Sequence, residues 1–351
     1  MIAAVLVLVV TATALLAARP ILARAGVVDY PNPRSSHLVP TPRGGGIVTA
    51  SATVVGLIAT APVGRESYTL SASMLILMAL GLLDDLRSRG SGLPWSVRLA
   101  VQTAVAVWMC ASGLRIGGID LGSLGSLELG VWGWPLTVFW LVGMTNAFNF
   151  IDGLDGMAAM QASVAGLAGW AVLGRSGWGD VYLLLCASAL GFLPHNAPKA
   201  RVFLGDSGSL PFGFALAAAA VGGATPRQPS AAAFAALALL SGPILTDTAA
   251  TLLSRLVRHE NIVEAHVGHL YQRLHQRGLS HATVGLAYAG VTCVCAACAA
   301  AWKLEPTLTW AAWLALPVIY AIVRRRVARG KVPPREPLPD RSTAAQSGRS
   351  E

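Results

Sequence analysis

Asn146-Ala-Phe-Asn149-Phe-Ile-Asp152-Gly-Leu-Asp155-Gly156 decides how this chain is read. An apolar run from Val138 to Met144 precedes it, and another from Met157 to Val172 follows. Two carboxylates, two carboxamides and two glycines therefore stand at the boundary between two hydrophobic segments. Glycine allows a sharp backbone turn there. Asp and Asn offer the hard oxygen ligands that Mg²⁺ takes alongside substrate phosphates. The stretch reads as one wall of a metal-phosphate site at a membrane surface.

Composition supports the membrane. The chain has 351 residues, 54% of them hydrophobic and only 12% charged, with a mean hydropathy of +0.58. A soluble protein of this length needs more polar surface, so the expected class is an all-α, polytopic integral membrane protein. The apolar runs do not alternate, which excludes a β-barrel. Candidate spans fall at 2–18, 46–63, 68–83, 97–114, 133–148, 157–173, 181–194, 209–223, 231–254, 284–301 and 308–323, about eleven transmembrane helices. Residues 2–18 lack a preceding positive segment and are followed by Arg19 and Arg24, which fits a first anchor with its N-terminus outside.

With that orientation, 21 of the 26 Lys and Arg lie in the inside loops or the tail, and five lie outside. The positive-inside asymmetry thus accounts for the net charge of +9 without nucleic acid. Residues 1–324 read as one catalytic membrane domain. Residues 325–351 read as a basic, Pro-rich cytoplasmic tail without fixed structure. The cysteines lie inside apolar runs. Cys293, Cys295 and Cys298 have no fourth ligand nearby and read as small packing residues rather than a metal motif.

Five polar clusters share the inside face. Residues 29–46 carry Asp29, His37 and Arg43. Asp84 and Asp85 close the third span; adjacent carboxylates suit a cation or a proton-accepting role, or else a helix cap paired with Arg87. The third cluster is the opening stretch, where Asp152 and Asp155 would share a face if the next helix included them; simple helix capping is the alternative. Asn196 to Ser209 places Asp206 between glycines, with Lys199 and Arg201 upstream, a plausible phosphate site. His266 and His269 would share a helix face with Arg273 and suit a phosphate or nucleotide better than zinc, with a solvated basic loop as the plainer reading. Asp247, inside the ninth span, is either functional or the partner of an inside cation. Carboxylates for Mg²⁺, cations for diphosphate and an apolar body for a lipid together describe phosphoryl transfer at a membrane surface.

These segments resemble the polyprenyl-phosphate N-acetylhexosamine-1-phosphate transferases, glycosyltransferase family 4 type membrane enzymes. The resemblance rests on Pro31-Asn32-Pro-Arg34-Ser-Ser-His37, Pro42-Arg43-Gly-Gly-Gly46, Leu83-Asp84-Asp85, Asn146 to Gly156, Asn196 to Ser209, and His266-Val-Gly-His269-Leu-Tyr271-Gln272-Arg273, in family order over residues 29 to 275. It implies attack by undecaprenyl phosphate on the sugar-bearing phosphorus of a UDP-N-acetylamino sugar, with release of UMP and a requirement for Mg²⁺, or Mn²⁺ in its place. It implies catalytic roles for Asp84, Asp85 and Asp206, with Asp206 and Asp152 on the metal. Asn149, Asp152, Asp155, Asn196, His266, His269, Arg273, His37 and Arg43 would bind substrate. The His-x-x-His-Leu-Tyr-Gln-Arg form resembles the branch that initiates O-antigen or other surface glycans. That branch has Arg-Ser between the histidines where this chain has Val267 and Gly268, which leaves the donor sugar open, 6-deoxy sugars included. The implied setting is the bacterial inner membrane with the active site facing the cytoplasm. A homodimer is compatible with this reading. A transporter would place ionisable groups near the midplane and often shows internal repeats, and neither is visible here. A purely structural anchor leaves the Asp clusters without a purpose.

Overall fold

The computed structural model describes residues 1–31, 37, 39–87, 92–121, 125–175, 177–224, 234–261 and 268–329. Of the residues singled out above, Asn32, Arg34, His266 and the tail from residue 330 lie outside the described residues. The fold is all-α. The helices are α1 (Ile2–Arg24), α2 (Gly45–Thr60), α3 (Arg65–Arg87), α4 (Trp95–Ala111), α5 (Gly133–Ile151), α6 (Met157–Leu173) and α7 (Gly177–Asn196). They continue as α8 (Asp206–Gly223), α9 (Phe234–Leu239), α10 (Gly242–Val257), α11 (Leu270–Gln276), α12 (His281–Ala300) and α13 (Pro306–Arg329). Short antiparallel pairs join β1 (Val28–Asp29) to β2 (Thr41–Pro42) and β3 (Gly118–Asp120) to β4 (Ser126–Glu128). Among the described residues, five helices are long and apolar enough to cross a membrane, including α1, α3, α7 and α13.

Ten of the expected spans coincide with single helices. The ninth does not: it is α9 and α10, separated at Leu240-Ser241. Gly242-Pro243 explains the break. Proline lacks an N–H to donate into a preceding turn and is favoured at the first position of a new helix. Leu240 and Ser241 close α9 with bonds to Leu237 and Ala238, three residues back. The last helix runs through Arg329, five residues into the segment read as tail.

Helix α8 is the axis of the bundle. All its residues are buried, as expected of a helix apolar on every side, and α2, α3, α5, α6, α7 and α9 pack around it. Small residues permit this. A Cβ on Gly81 of α3 would lie 2.2 Å from the Asp206 carbonyl carbon, and one on Gly46 of α2 would lie 2.0 Å from the Gly208 nitrogen. The first turn of α8 is therefore clamped between the end of α3 and the start of α2. The loop ahead of α2 is tied to the loop ahead of α8 as well. Phe203 N–H donates to the Pro42 carbonyl at 2.8 Å, and Gly45 N–H donates to the Phe203 carbonyl at 2.9 Å.

Candidate active site

The polar clusters assigned to one side do meet at one end of the bundle, where α8 begins. Gly205 turns the chain with φ +73°, in the left-handed region open to glycine. A Cβ there would sit 2.5 Å from Asp85 Oδ2. The first N–H groups of a helix have no intrahelical partner. Here Asp85 supplies one: its Oδ1 accepts from Asp206 N–H at 3.0 Å and its Oδ2 from Ser207 N–H at 3.1 Å. Arg43 Nε reaches Asp85 Oδ1 at 2.8 Å, and the Asp85 side chain is 0% exposed. Asp85 is thus bound up in holding α8.

Asp84, its neighbour, is placed differently. Its Oδ1 accepts from Leu93 N–H at 2.6 Å, and its Oδ2 pairs with Arg98 Nη1 at 3.4 Å. The alternative of a cap paired with Arg87 is not what the structure shows: the cations on these two carboxylates are Arg43 and Arg98. Asp206 lies between those two cations. Arg43 Nη2 and Asn149 Nδ2 both donate to its Oδ1 at 3.0 Å, and Arg98 Nη2 stands 3.4 Å from its Oδ2. Asn149 Nδ2 also donates to Ser209 Oγ at 2.8 Å. Three carboxylates, two guanidiniums and an amide therefore converge from four helix ends and one loop.

Asp152 and Asp155 do not share a helix face. Helix α5 ends at Ile151 and α6 begins at Met157, so both sit in the connecting loop and diverge. Asp152 faces the carboxylate centre. Burial, together with the charges of Asp206 and Asp85, pushes its carboxyl well above the ordinary range, with Arg43 opposing. Burial acts against the Arg43 charge, but Asp85 and Asp206 outweigh it and raise its pKa. Asp155 points away: its Oδ2 accepts from Ala200 N–H at 3.1 Å and lies 3.3 Å from His281 Nδ1. Asp152, Asp155, His37, Arg43, Asn196 and Phe203 line a cavity of about 190 Å³ beside the centre. Asn196 contributes a brace, its amide donating to the Val202 carbonyl at 2.9 Å and accepting from Gly156 N–H at 2.7 Å. The His37 ring meets Phe203 edge-on, with centroids 4.8 Å apart.

His269 and Arg273 correct the expectation of a shared helix face. His269 is the N-cap of α11, its N–H donating to Gln272 Oε1 at 3.2 Å. Arg273 turns back to the Gly268 carbonyl at 3.1 Å. The partner of His269 is Asp247, whose Oδ1 lies 3.3 Å from His269 Nδ1. The same carboxylate accepts from Tyr288 O–H at 2.6 Å, Tyr320 O–H at 2.9 Å and Leu270 N–H at 3.0 Å. Its partners are therefore tyrosines, a histidine and backbone rather than an inside cation. Lys199 and Arg201 also depart from expectation: they line a separate, larger cavity rather than the Asp206 turn.

Arg98 was not among the residues the sequence singled out. A cation on an apolar helix is a functional candidate by default, and that signal stood in Trp95-Ser-Val-Arg98. Ser209, Phe203 and Gln272 carried no comparable signal. Among the described residues, no group of three His, Cys, Asp or Glu side chains is set to hold a metal ion, and the cysteines of α12 remain free thiols. Mg²⁺ does not need a preformed cage; one or two carboxylates plus substrate phosphates suffice, and the oxygen donors of the centre suit it.

Residues 67–224, which carry every group of this centre except Arg43, match the family profile described as glycosyl transferase family 4. The chain is 32% identical over 292 residues to a protein of Bacillus subtilis named "Probable undecaprenyl-phosphate N-acetylglucosaminyl 1-phosphate transferase", covering 80% of each chain. It is 31% identical over 296 residues to the decaprenyl-phosphate N-acetylglucosaminephosphotransferase of Mycolicibacterium smegmatis, covering 75% of this chain and 72% of that one. A phospho-N-acetylmuramoyl-pentapeptide-transferase of Trichormus variabilis is 32% identical over 195 residues, about half of each. The chain belongs to the polyprenyl-phosphate N-acetylhexosamine-1-phosphate transferases, glycosyl transferase family 4.

Proposed function

We propose that this protein transfers an N-acetylamino-sugar 1-phosphate from a UDP-sugar to undecaprenyl phosphate at the cytoplasmic face of a bacterial inner membrane. The observation that carries the reading is the convergence of Asp84, Asp85 and Asp206 with Arg43, Arg98 and Asn149 at one end of a bundle of apolar helices. Such a centre offers fixed charges to a diphosphate and to a lipid phosphate. An oxygen of the lipid phosphate forms a bond to the sugar-bearing phosphorus, the bond from that phosphorus to the bridging oxygen breaks, and UMP leaves with that oxygen.

Arg43 and Arg98 neutralise the non-bridging oxygens, where bidentate guanidinium contacts are strongest. Asn149, itself held by Ser209, orients Asp206. Asp85 holds the α8 N-terminus, whose dipole favours a nearby anion. Asp84 is the better placed of the adjacent pair to accept a proton from the lipid phosphate. The demand is small, because the second ionisation of a phosphate monoester falls near pH ~6. Asp206 and Asp152 would hold Mg²⁺, or Mn²⁺, which when bound supplies charge neutralisation on the diphosphate. The cavity lined by Asp152, Asp155, Asn196, His37 and Phe203 suits the nucleotide, with Arg273 toward the sugar end and His269, paired with Asp247, fixing the start of α11. The product lipid would initiate O-antigen or another envelope glycan. The eleven-span topology, N-terminus outside and C-terminus cytoplasmic, follows the charge asymmetry.

The test uses purified protein, undecaprenyl phosphate, Mg²⁺ and a panel of UDP-N-acetylamino sugars, and follows the lipid product. One donor should yield lipid-diphosphate-sugar, and EDTA should abolish it. Folded protein that gives no product with any donor and binds no uridine nucleotide would refute the reading.

A further inference from the structure

Beside the candidate active site lies a second cavity, of about 800 Å³. It shares only His37, Asp155 and Phe203 with the first. One wall is the last two turns of α1, with Leu16, Arg19, Pro20 and Ala23. The opposite wall is the Val39 to Pro42 segment, and the rim is Lys199 and Arg201.

The charge of this cavity is one-sided. Arg19, Lys199 and Arg201 line it, and none is within ion-pair distance of a carboxylate among the described residues. Its single acid, Asp155, is engaged by Ala200 N–H and His281. Two buried nitrogens have no hydrogen-bond partner, Arg19 Nε and His37 Nε2. Buried polar atoms in a folded protein are normally satisfied, so two unpartnered nitrogens on residues that line the cavity, beside three cations without a carboxylate partner, favour an anion with several acceptor oxygens. A phosphate has them.

The apolar wall indicates where that phosphate comes from. Helix α1 is among the most apolar in the chain and is little buried, with Leu16 60% and Ile21 61% exposed. The cations stand where this lipid-facing surface ends. Arginine and lysine at the end of a membrane helix attract anionic headgroups. We propose that the cavity between α1 and the Lys199 to Phe203 loop binds the phosphate of an anionic membrane phospholipid, with an acyl chain along α1. The occupant would contact the loop whose Ala200 N–H donates to Asp155.

The proposal rests on the membrane-embedded reading but not on catalysis. Full-length protein is placed in nanodiscs of phosphatidylcholine with a minor fraction of phosphatidylglycerol, and native mass spectrometry counts the lipids retained after release into detergent. The wild type should retain phosphatidylglycerol in preference to phosphatidylcholine, and Arg19→Gln/Lys199→Gln/Arg201→Gln should lose that preference. Lys199→Gln/Arg201→Gln changes only exposed rim positions and guards against misfolding. It should weaken retention about tenfold and leave KM for the nucleotide sugar within about twofold. Equal retention by wild type and triple variant would overturn the site. Thermal stabilisation by inorganic phosphate without retained phosphatidylglycerol would overturn the lipid assignment in favour of a free phosphate. A large rise in KM in the rim variant would overturn it in favour of the donor substrate. Lipid retention with no sugar-phosphate transfer would refute the proposed function alone.

Discussion

Two buried acidic centres lie at the same end of this bundle and are solved in opposite ways. Around Asp206 the charges are paired with charges: Arg43 and Arg98 each bridge two carboxylates, and a cavity opens alongside. Around Asp247 a single carboxylate is surrounded by tyrosine hydroxyls, backbone N–H groups and His269, with 0% exposure. The first arrangement holds fixed side-chain charges beside an open cavity, where a phosphate can compete for them. The second is closed, and it fixes α10, α11, α12 and α13 to one another. Electrostatic catalysis needs the former, supported by the rigidity of the latter.

That contrast can be broken by substitution. Asp206→Asn keeps the shape of the first centre and removes its charge. Turnover should fall by about a thousandfold or more, while the melting temperature stays close to wild type; a parallel loss of both would make Asp206 structural. Asp85→Asn should lose stability as well, because it removes the fully buried carboxylate that pairs with Arg43 Nε and caps the first turn of α8, at a cost of about 3–5 kcal/mol. Thermal unfolding in detergent would separate the two aspartates, and equal melting temperatures would erase the distinction between them.

Asp247→Asn belongs to the second centre. Several donors would share one amide oxygen, and we expect about 2–3 kcal/mol of destabilisation with an activity loss that follows the unfolded fraction at assay temperature. A large kcat loss in fully folded protein would move Asp247 into the chemistry. The smallest change is Tyr320→Phe, which removes one of several hydrogen bonds to Asp247. About 1 kcal/mol is expected, with kcat and KM both near wild type.

Much of the helical layout was legible in the apolar runs, because a span needs a continuous stretch of suitable length whatever its neighbours are. The exception is instructive. The stretch 231–254 is predominantly apolar, and only Gly242-Pro243 marked the break between α9 and α10. The polar clusters were legible as a set, since each stood at the end of an apolar run. Their division of labour was not. Asp84 and Asp85 are adjacent in sequence, and they part because Asp85 alone accepts the first backbone N–H groups of α8. Asp152 and Asp155 part for a similar reason, through Ala200 and His281. Lys199 and Arg201 read as neighbours of Asp206 but face α1. Each of these outcomes depends on contacts between segments far apart in the chain, which spacing does not encode. Arg98 was visible as a cation in an apolar helix and needed only that rule to be applied.

The most direct measurement follows the phosphorus. UDP-N-acetylglucosamine, or the donor that proves active, is labelled with ³²P on the sugar-bearing phosphate and incubated with the purified protein, undecaprenyl phosphate and Mg²⁺. The account predicts that the label moves into the lipid fraction while the uridine leaves as UMP, and that Asp206→Asn protein of wild-type thermal stability transfers none. Label retained on uridine as UDP while sugar alone reaches the lipid, or undiminished transfer by Asp206→Asn, would contradict it.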